Sequence, residues 1–174
     1  MGNIASELTF ENVWNKDVPE IRRQAIAIWK QSAAIDPTSL QDRAQQIVYV
    51  AKNQKGQVVA ISTAYKGFVK QLGQFFYLYR CLAVKEYSIP GIDSKITLLT
   101  RDFLESIHKQ DTTNQAIGLM AIVQNTHLKQ RTMAVWPSGL VYIGNTGQGD
   151  HIRVYYFRHA EISLKHAPGP GRKN

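Results

Sequence analysis

Lys85-Glu86-Tyr87-Ser88-Ile89-Pro90-Gly91-Ile92-Asp93-Ser94-Lys95 decides how the chain folds, because the periodicity of the sequence changes across it. Before it, residues 75–84 end in Leu82-Ala83-Val84 and read as a strand rich in aromatic and branched side chains. After it, Ile92, Ile96, Leu99, Phe103 and Ile107 recur at steps of three and four, one face of a long helix. Ala116-Ile117-Gly118-Leu119-Met120-Ala121-Ile122-Val123 follows and is apolar on both parities, as a strand covered on both faces must be. Strand, helix and strand read as a right-handed crossover joining a parallel pair.

Upstream, Leu8 to Val13 reads as a short strand, and Val18, Ile21, Ala25, Ile28 and Trp29 mark a helix to Lys30. Asp17 and Glu20 stand where a capping box would place them, with Pro19 in the first turn. Asp36-Pro37-Thr38-Ser39 breaks this helix, and a shorter one runs to Gln45. Residues 47–51 and 58–69 form strands around the turn Asn53-Gln54-Lys55-Gly56. The turn at Lys70-Gln71-Leu72-Gly73 completes a three-strand meander with residues 75–84. Downstream, residues 125–135 read as a last helix stopped by Pro137-Ser138-Gly139. Residues 140–143 and 152–157 form a closing hairpin. The reading is one domain over residues 1–160 and a flexible basic tail over 161–174.

The chain has 174 residues, 44% of them apolar, enough to bury a core without staples. Cys81 is the single cysteine, which excludes an internal disulfide framework and fits a reducing, cytoplasmic setting. No apolar run is long enough for a membrane span. Met1-Gly2-Asn3-Ile4-Ala5-Ser6 has the spacing of an N-myristoylation site, which an ordinary frayed terminus also matches. The net charge of +8 points either to an anionic partner or to solubility alone. An anionic partner would be a phosphate-rich cofactor, an acidic carrier protein or a nucleic acid.

The order of elements, with Leu82-Ala83-Val84, the loop at 85–95, Val123-Gln124-Asn125 and Gly139-Leu140, resembles the GNAT superfamily of acyl-CoA N-acyltransferases. The resemblance spans roughly Leu8 to Phe157. It implies an α/β (α+β) fold: a twisted, mostly antiparallel sheet of six to seven strands, about four helices, and a splayed parallel pair at 75–84 and 116–123. It also implies acetyl-CoA or another acyl-CoA as co-substrate, held by Leu82, Ala83, Val84, Gly91, Ile92, Ser94, Lys95 and Asn125. The general physics agrees, since a helix N-terminus attracts phosphate through its unpaired amides. The loop departs from the family pattern Arg/Gln-x-x-Gly-x-Gly/Ala: Gly91 is its one glycine, Pro90 lacks an amide donor, and Asp93 opposes phosphate or caps the helix. Ser88 is a further candidate phosphate contact.

Many members of the family carry a Glu base where this chain has Leu78, and no carboxylate occurs in residues 73–84. A Tyr acid is often found on the helix after the fifth strand, where this chain has Trp136 as its aromatic. Tyr142 and His127 are the candidate proton donors, with Tyr155 and Tyr156 as alternatives to Tyr142. Arg80, always protonated, is a candidate binder of an anionic substrate group. Each has a plainer reading: a packing tyrosine, a surface histidine, an exposed strand arginine. Cys81 reads as a core residue. No residues stand at metal-ligand spacing, and neither a P-loop nor a nucleophile elbow is present. The expected activity is transfer of an acyl group to an amine of a small molecule or peptide by direct attack in a ternary complex. The alternatives are an inactive module of the same fold, and modification of a nucleic acid or of a carrier-bound substrate. The expected assembly is a monomer or homodimer.

Overall fold

The computed structural model describes residues 8–32, 36–87, 91–111, 113 and 115–166. The N-terminal Gly2 motif and Ser88, Ile89 and Pro90 lie outside them. Seven strands follow the hydrogen-bonded order β1-β2-β3-β4-β5-β7-β6. They are β1 (Thr9–Asn12), β2 (Ile47–Lys52), β3 (Val58–Val69), β4 (Gln74–Ala83), β5 (Ala116–Val123), β6 (Val141–Asn145) and β7 (His151–Tyr156). The α-helices among the described residues are α1 (Pro19–Ser32), α2 (Leu40–Gln45), α3 (Ile92–Gln110) and α4 (Thr126–Lys129). β4 and β5 are parallel, while β1/β2, β2/β3, β5/β7 and β6/β7 are antiparallel. The expected mixed sheet with one parallel pair is therefore the fold of this chain.

The chain forms two compact units, residues 8–64 with 80–101 and residues 65–79 with 102–166. In the first, strand alternation sends side chains to two clusters. Val50, Val58, Ile61 and Leu82 pack with Ile21, Ala25 and Trp29 of α1 and Leu40 and Ala44 of α2. Each large apolar side chain buried there contributes roughly 1.5–3 kcal/mol. Ala51, Val59, Ala60, Cys81 and Ala83 pack instead with Ile92 and Ile96 of α3. Cys81, expected in the core, is half-buried against this cluster. Between the two helical layers, the buried hydroxyls of Ser62 and Thr100 lie 2.7 Å apart and satisfy one another.

Local polar signals explain the turns. Asn53 Oδ1 accepts from the amides of Lys55 and Gln57, and Gly56 takes φ 73°. Asp36 Oδ1 accepts from the Thr38 amide and caps a 3-10 turn at Pro37–Ser39. The capping box expected at α1 is used otherwise. Asp17 takes the Arg22 guanidinium at 3.3 Å, and Glu20 takes Arg23 and Gln24.

In the second unit, the parallel register runs from Phe75↔Ala116 to Tyr79↔Ala121, and β5 pairs β7 from Gly118↔Tyr156 to Val123↔His151. A Cβ on Gly118 would meet the Tyr155 carbonyl oxygen at 2.2 Å, so only glycine fits between these strands. Val69, Phe76, Ile117, Met120 and Val154 form one buried cluster. On the other face, Glu105 of α3 accepts from the Tyr155 hydroxyl at 3.4 Å and from the Arg158 amide at 2.5 Å. Gln74, buried in β4, pairs its side-chain amide with both backbone groups of Ser163.

The last helix departs from expectation. α4 covers only Thr126–Lys129, not residues 125–135. In a helix ending at residue 135 the last four carbonyls would have no partner within it; here Val135 instead bridges to Val141, the Ala134 carbonyl accepts from the Tyr142 amide, and Arg153, described below, donates to the carbonyls of residues 131, 133 and 134.

Candidate cofactor and acyl-transfer residues

The end of β4 and the start of α3 belong to the first unit, which brings seven of the expected cofactor residues onto one continuous segment. The Val84 amide donates to the Val59 carbonyl at 2.8 Å, so pairing with β3 reaches one residue beyond β4. A 3-10 turn at Lys85–Tyr87 follows; the Tyr87 amide donates to Val84 O, and its hydroxyl accepts from Asn53. The chain then reaches Gly91, exposed and at φ 95°, a left-handed conformation that glycine adopts without strain. Its carbonyl accepts the Lys95 amide at 2.8 Å, which places Gly91 as the first residue of the α3 ladder. Ile92 is buried and anchors the helix; Asp93 and Ser94 are half-buried, and Lys95 is exposed. An open glycine before a long helix, with a lysine in its first turn, is chemistry suited to an anion. The half-buried Asp93 is the opposing charge on that turn. Arg80 is exposed on β4 and shares the parity of Leu82.

The remaining candidates sit in the second unit. Asn125 caps α4: its Oδ1 accepts from the Leu128 amide at 3.1 Å and its backbone carbonyl from Lys129. Its side chain is therefore committed to the helix start. His127 is exposed on α4. Lys129 reaches Asp150 at 2.9 Å, tying α4 to the β6–β7 turn, where Thr146 Oγ1 accepts from the amides of Gln148 and Asp150.

Arg153 organises the rest. It is 1% exposed, and its guanidinium donates to the carbonyls of Ala134 (3.2 Å), Met133 (3.0 Å) and Arg131 (3.5 Å). The guanidinium carbon lies 4.0 Å from the Trp136 ring centroid and 5.8 Å from that of Tyr142. Burial pushes its pKa below the usual value, and Tyr142 acts in the opposite direction. Tyr142 in turn sits edge-on to His151, with centroids 5.2 Å apart. Of the three tyrosines weighed, Tyr142 lies beside the Arg153 guanidinium. Tyr155 is engaged by Glu105, and Tyr156 stacks on Phe76. The structure brings Tyr142 together with Arg153, His151 and Trp136. His127 stands apart on α4, and Arg80 belongs to the other unit.

Sequence reasoning missed Arg153, His151 and Glu105. For Arg153 a signal existed: in Ile152-Arg153-Val154 the arginine shares parity with Tyr155, which marks it as facing helix α3's side of the sheet. Among the described residues no three His, Cys, Asp or Glu side chains converge as metal ligands, and no helix is long and apolar enough to cross a membrane.

No protein-family model matches the sequence, and no curated protein is significantly similar to it. Solved structures do match. A GNAT-family acetyltransferase from Streptococcus pneumoniae is 13% identical, with 87% of this chain and 100% of that one covered at a TM-score of 0.58. The ribosomal-protein-S5-alanine acetyltransferase from Vibrio fischeri is 11% identical, covering 90% and 96% at 0.59. AtaT in complex with acetyl-methionyl-tRNAfMet is 11% identical, covering 86% and 94% at 0.54, and AtaTR is also solved with bound acetyl-CoA. With the parallel β4/β5 pair and the left-handed glycine that opens α3, these likenesses make the chain a member of the GNAT fold.

Proposed function

We propose that this chain is an acyl-CoA-dependent N-acyltransferase that uses acetyl-CoA. The observation that carries the reading is Gly91: a left-handed glycine with open space around it, heading a long helix directly downstream of β4. That position suits a pyrophosphate, with Lys95 as the nearby cation and Ser94 as a hydroxyl donor. Leu82, Ala83 and Val84 supply backbone for the pantetheine arm, in the manner of an added strand.

Strands β3 to β7 contain no Asp or Glu, so no carboxylate base stands on them. An amine can attack a thioester with little base assistance when both are held in line, since positioning supplies much of the acceleration. Attack of the amine nitrogen on the thioester carbon forms the amide, expels the thiolate and releases one proton. Tyr142 is assigned as the donor to the thiolate, with the Arg153 cation beside it stabilising the developing negative charge. Arg80 and the net charge of +8 favour an acceptor that carries an anionic group.

The test is a thermal titration with acetyl-CoA, followed by thiol release against a panel of amines. Cofactor at about a hundredfold over its Kd raises Tm by about 5–10 °C. No shift at millimolar acetyl-CoA refutes the proposal. A second reading, an amine carried on nucleic acid, is favoured by the same charge. It requires binding to tRNA that weakens steeply with salt.

A further inference from the structure

We infer that the end of β3, where it turns toward β4, is a binding surface for single-stranded nucleic acid, with Phe68 stacking on a base and Lys66 and Lys70 holding the phosphates beside it. The inference goes beyond the acyltransferase reading and does not depend on it. The positive charge of the chain is unevenly placed. Residues 43–85 contain seven Lys and Arg and no Asp or Glu. The rest of the chain is close to neutral, with fourteen cations against thirteen anions. An excess this local is the footprint of an anionic partner rather than a general aid to solubility.

Within the second unit this stretch supplies residues 65–79. β3 ends there in Tyr65-Lys66-Gly67-Phe68-Val69, and Lys70 opens the turn to β4. Strand alternation divides the segment between two faces. On one, Val69 is buried with Phe76, and a Cβ on Gly67 would meet the Leu78 side chain at 2.7 Å, so packing closes that face. Lys66 and Phe68 take the other. Phe68 is 44% exposed and rests against Phe75 edge to face, with centroids 5.1 Å apart. The contact steadies the ring while nearly half of it stays in water. Lys66 and Lys70 are exposed and have no ion pair among the described residues, whereas Lys52, in the same acid-free stretch, is taken by Glu11. Two free cations therefore flank one steadied aromatic ring, each two residues from it, within roughly 7 Å of chain.

Charge and ring together select the occupant. The two lysines attract any polyanion. An acidic protein would use the lysines and leave Phe68 in water. A duplex offers phosphates, but the faces of its bases are already stacked on one another. A single strand offers both at once: bases with free faces, and a phosphate between each base and the next. Stacking on Phe68 removes its exposed apolar surface from water, and each lysine that meets a phosphate releases a counterion.

The experiment is fluorescence anisotropy of a labelled oligouridylate of about twelve nucleotides titrated with the full chain. It needs neither acetyl-CoA nor an amine, so its outcome is separate from that of the cofactor titration. The expected Kd is on the order of 10 µM at low salt and rises as salt is added. Phe68→Leu keeps apolar bulk, removes the ring and weakens binding about tenfold, while Phe68→Trp retains it. Lys66→Gln and Lys70→Gln, both at exposed positions, each reduce the slope of log affinity against log salt by about 0.7, the value for one phosphate of a single strand. Lys30→Gln removes the same charge from the end of α1 and changes neither affinity nor slope. Absence of binding at low salt overturns the inference. So does equal affinity in folded Phe68→Leu, an unchanged slope in both lysine variants, or tighter binding of polyglutamate or of the matching duplex.

Discussion

The turns of the first compact unit and the irregular segments of the second are held by polar ties of different reach. In the first, Asp36 bonds Thr38, Asn53 bonds Lys55 and Gln57, and Gly91 accepts from Lys95, each within four residues. In the second, Arg153 reaches back 19 to 22 residues, Glu105 reaches forward 53 and Gln74 reaches forward 89. The first unit has long ties as well: Gln24 accepts from the Val58 amide 34 residues on, Asn53 donates to the Tyr87 hydroxyl, Lys52 pairs with Glu11, and the Ser62 and Thr100 hydroxyls pair 38 residues apart. Short ties cost little chain entropy and form with the local structure; long ones form only once distant segments have met. The turns and the start of α3 in the first unit are therefore read from their own residues, while the segment after α4 and the turn at Ser163 in the second depend on partners far along the chain.

Replacing Arg153 tests this contrast hardest. Arg153→Met removes the donor from carbonyls at residues 131, 133 and 134 and the stacking on Trp136. A loss of about 3–4 kcal/mol is expected in denaturant unfolding. Trp136 fluorescence should shift with it. A loss below 1 kcal/mol would mean that the segment after α4 holds itself, and the contrast would fail.

Gln74→Ala leaves both backbone groups of Ser163 without their partner and should cost about 2 kcal/mol. Hydrogen exchange at the Ser163 amide should rise more than at any amide of α1.

In the first unit the expected effects are smaller. Gly91→Ala places a side chain at φ 95°, with a cost of about 1–2 kcal/mol that comes from backbone strain alone, since nothing lies within 4 Å of the new Cβ. Asp36 gives the smallest effect. Its carboxyl is held below the usual value, first by the Thr38 hydroxyl and then by the Thr38 amide. A depressed pKa means its contribution is present above pH 3.8 and lost as the pH falls through the folded value. Asp36→Asn should lower the neutral plateau of a Tm–pH profile slightly and leave the low-pH end nearly unmoved, so that the acid limb is flatter.

The reach of the signal accounts for what could be read in the sequence. The strands at 58–69 and 116–123 and the start of α3 at Ile92 were legible because alternation, a step of three to four, and a glycine each mark their own residues. The helix expected over residues 125–135 stops at Lys129, and the residues after it pair instead with β6 and with Arg153, partners that lie further along the chain. Among the candidate site residues, Gly91, Ile92 and Lys95 were identified by their place before a periodic helix. The partners of Tyr142 were not, because register alone sets Tyr142 beside Arg153 and Asn145 beside His151.

Calorimetric titration of the chain with acetyl-CoA tests the central proposal most directly, with Lys95→Glu measured alongside. The account predicts one cofactor bound per chain and an affinity at least tenfold weaker in Lys95→Glu, because a cation at the first turn of α3 becomes an anion. No heat of binding at millimolar acetyl-CoA, or equal affinity in the two proteins, would contradict it.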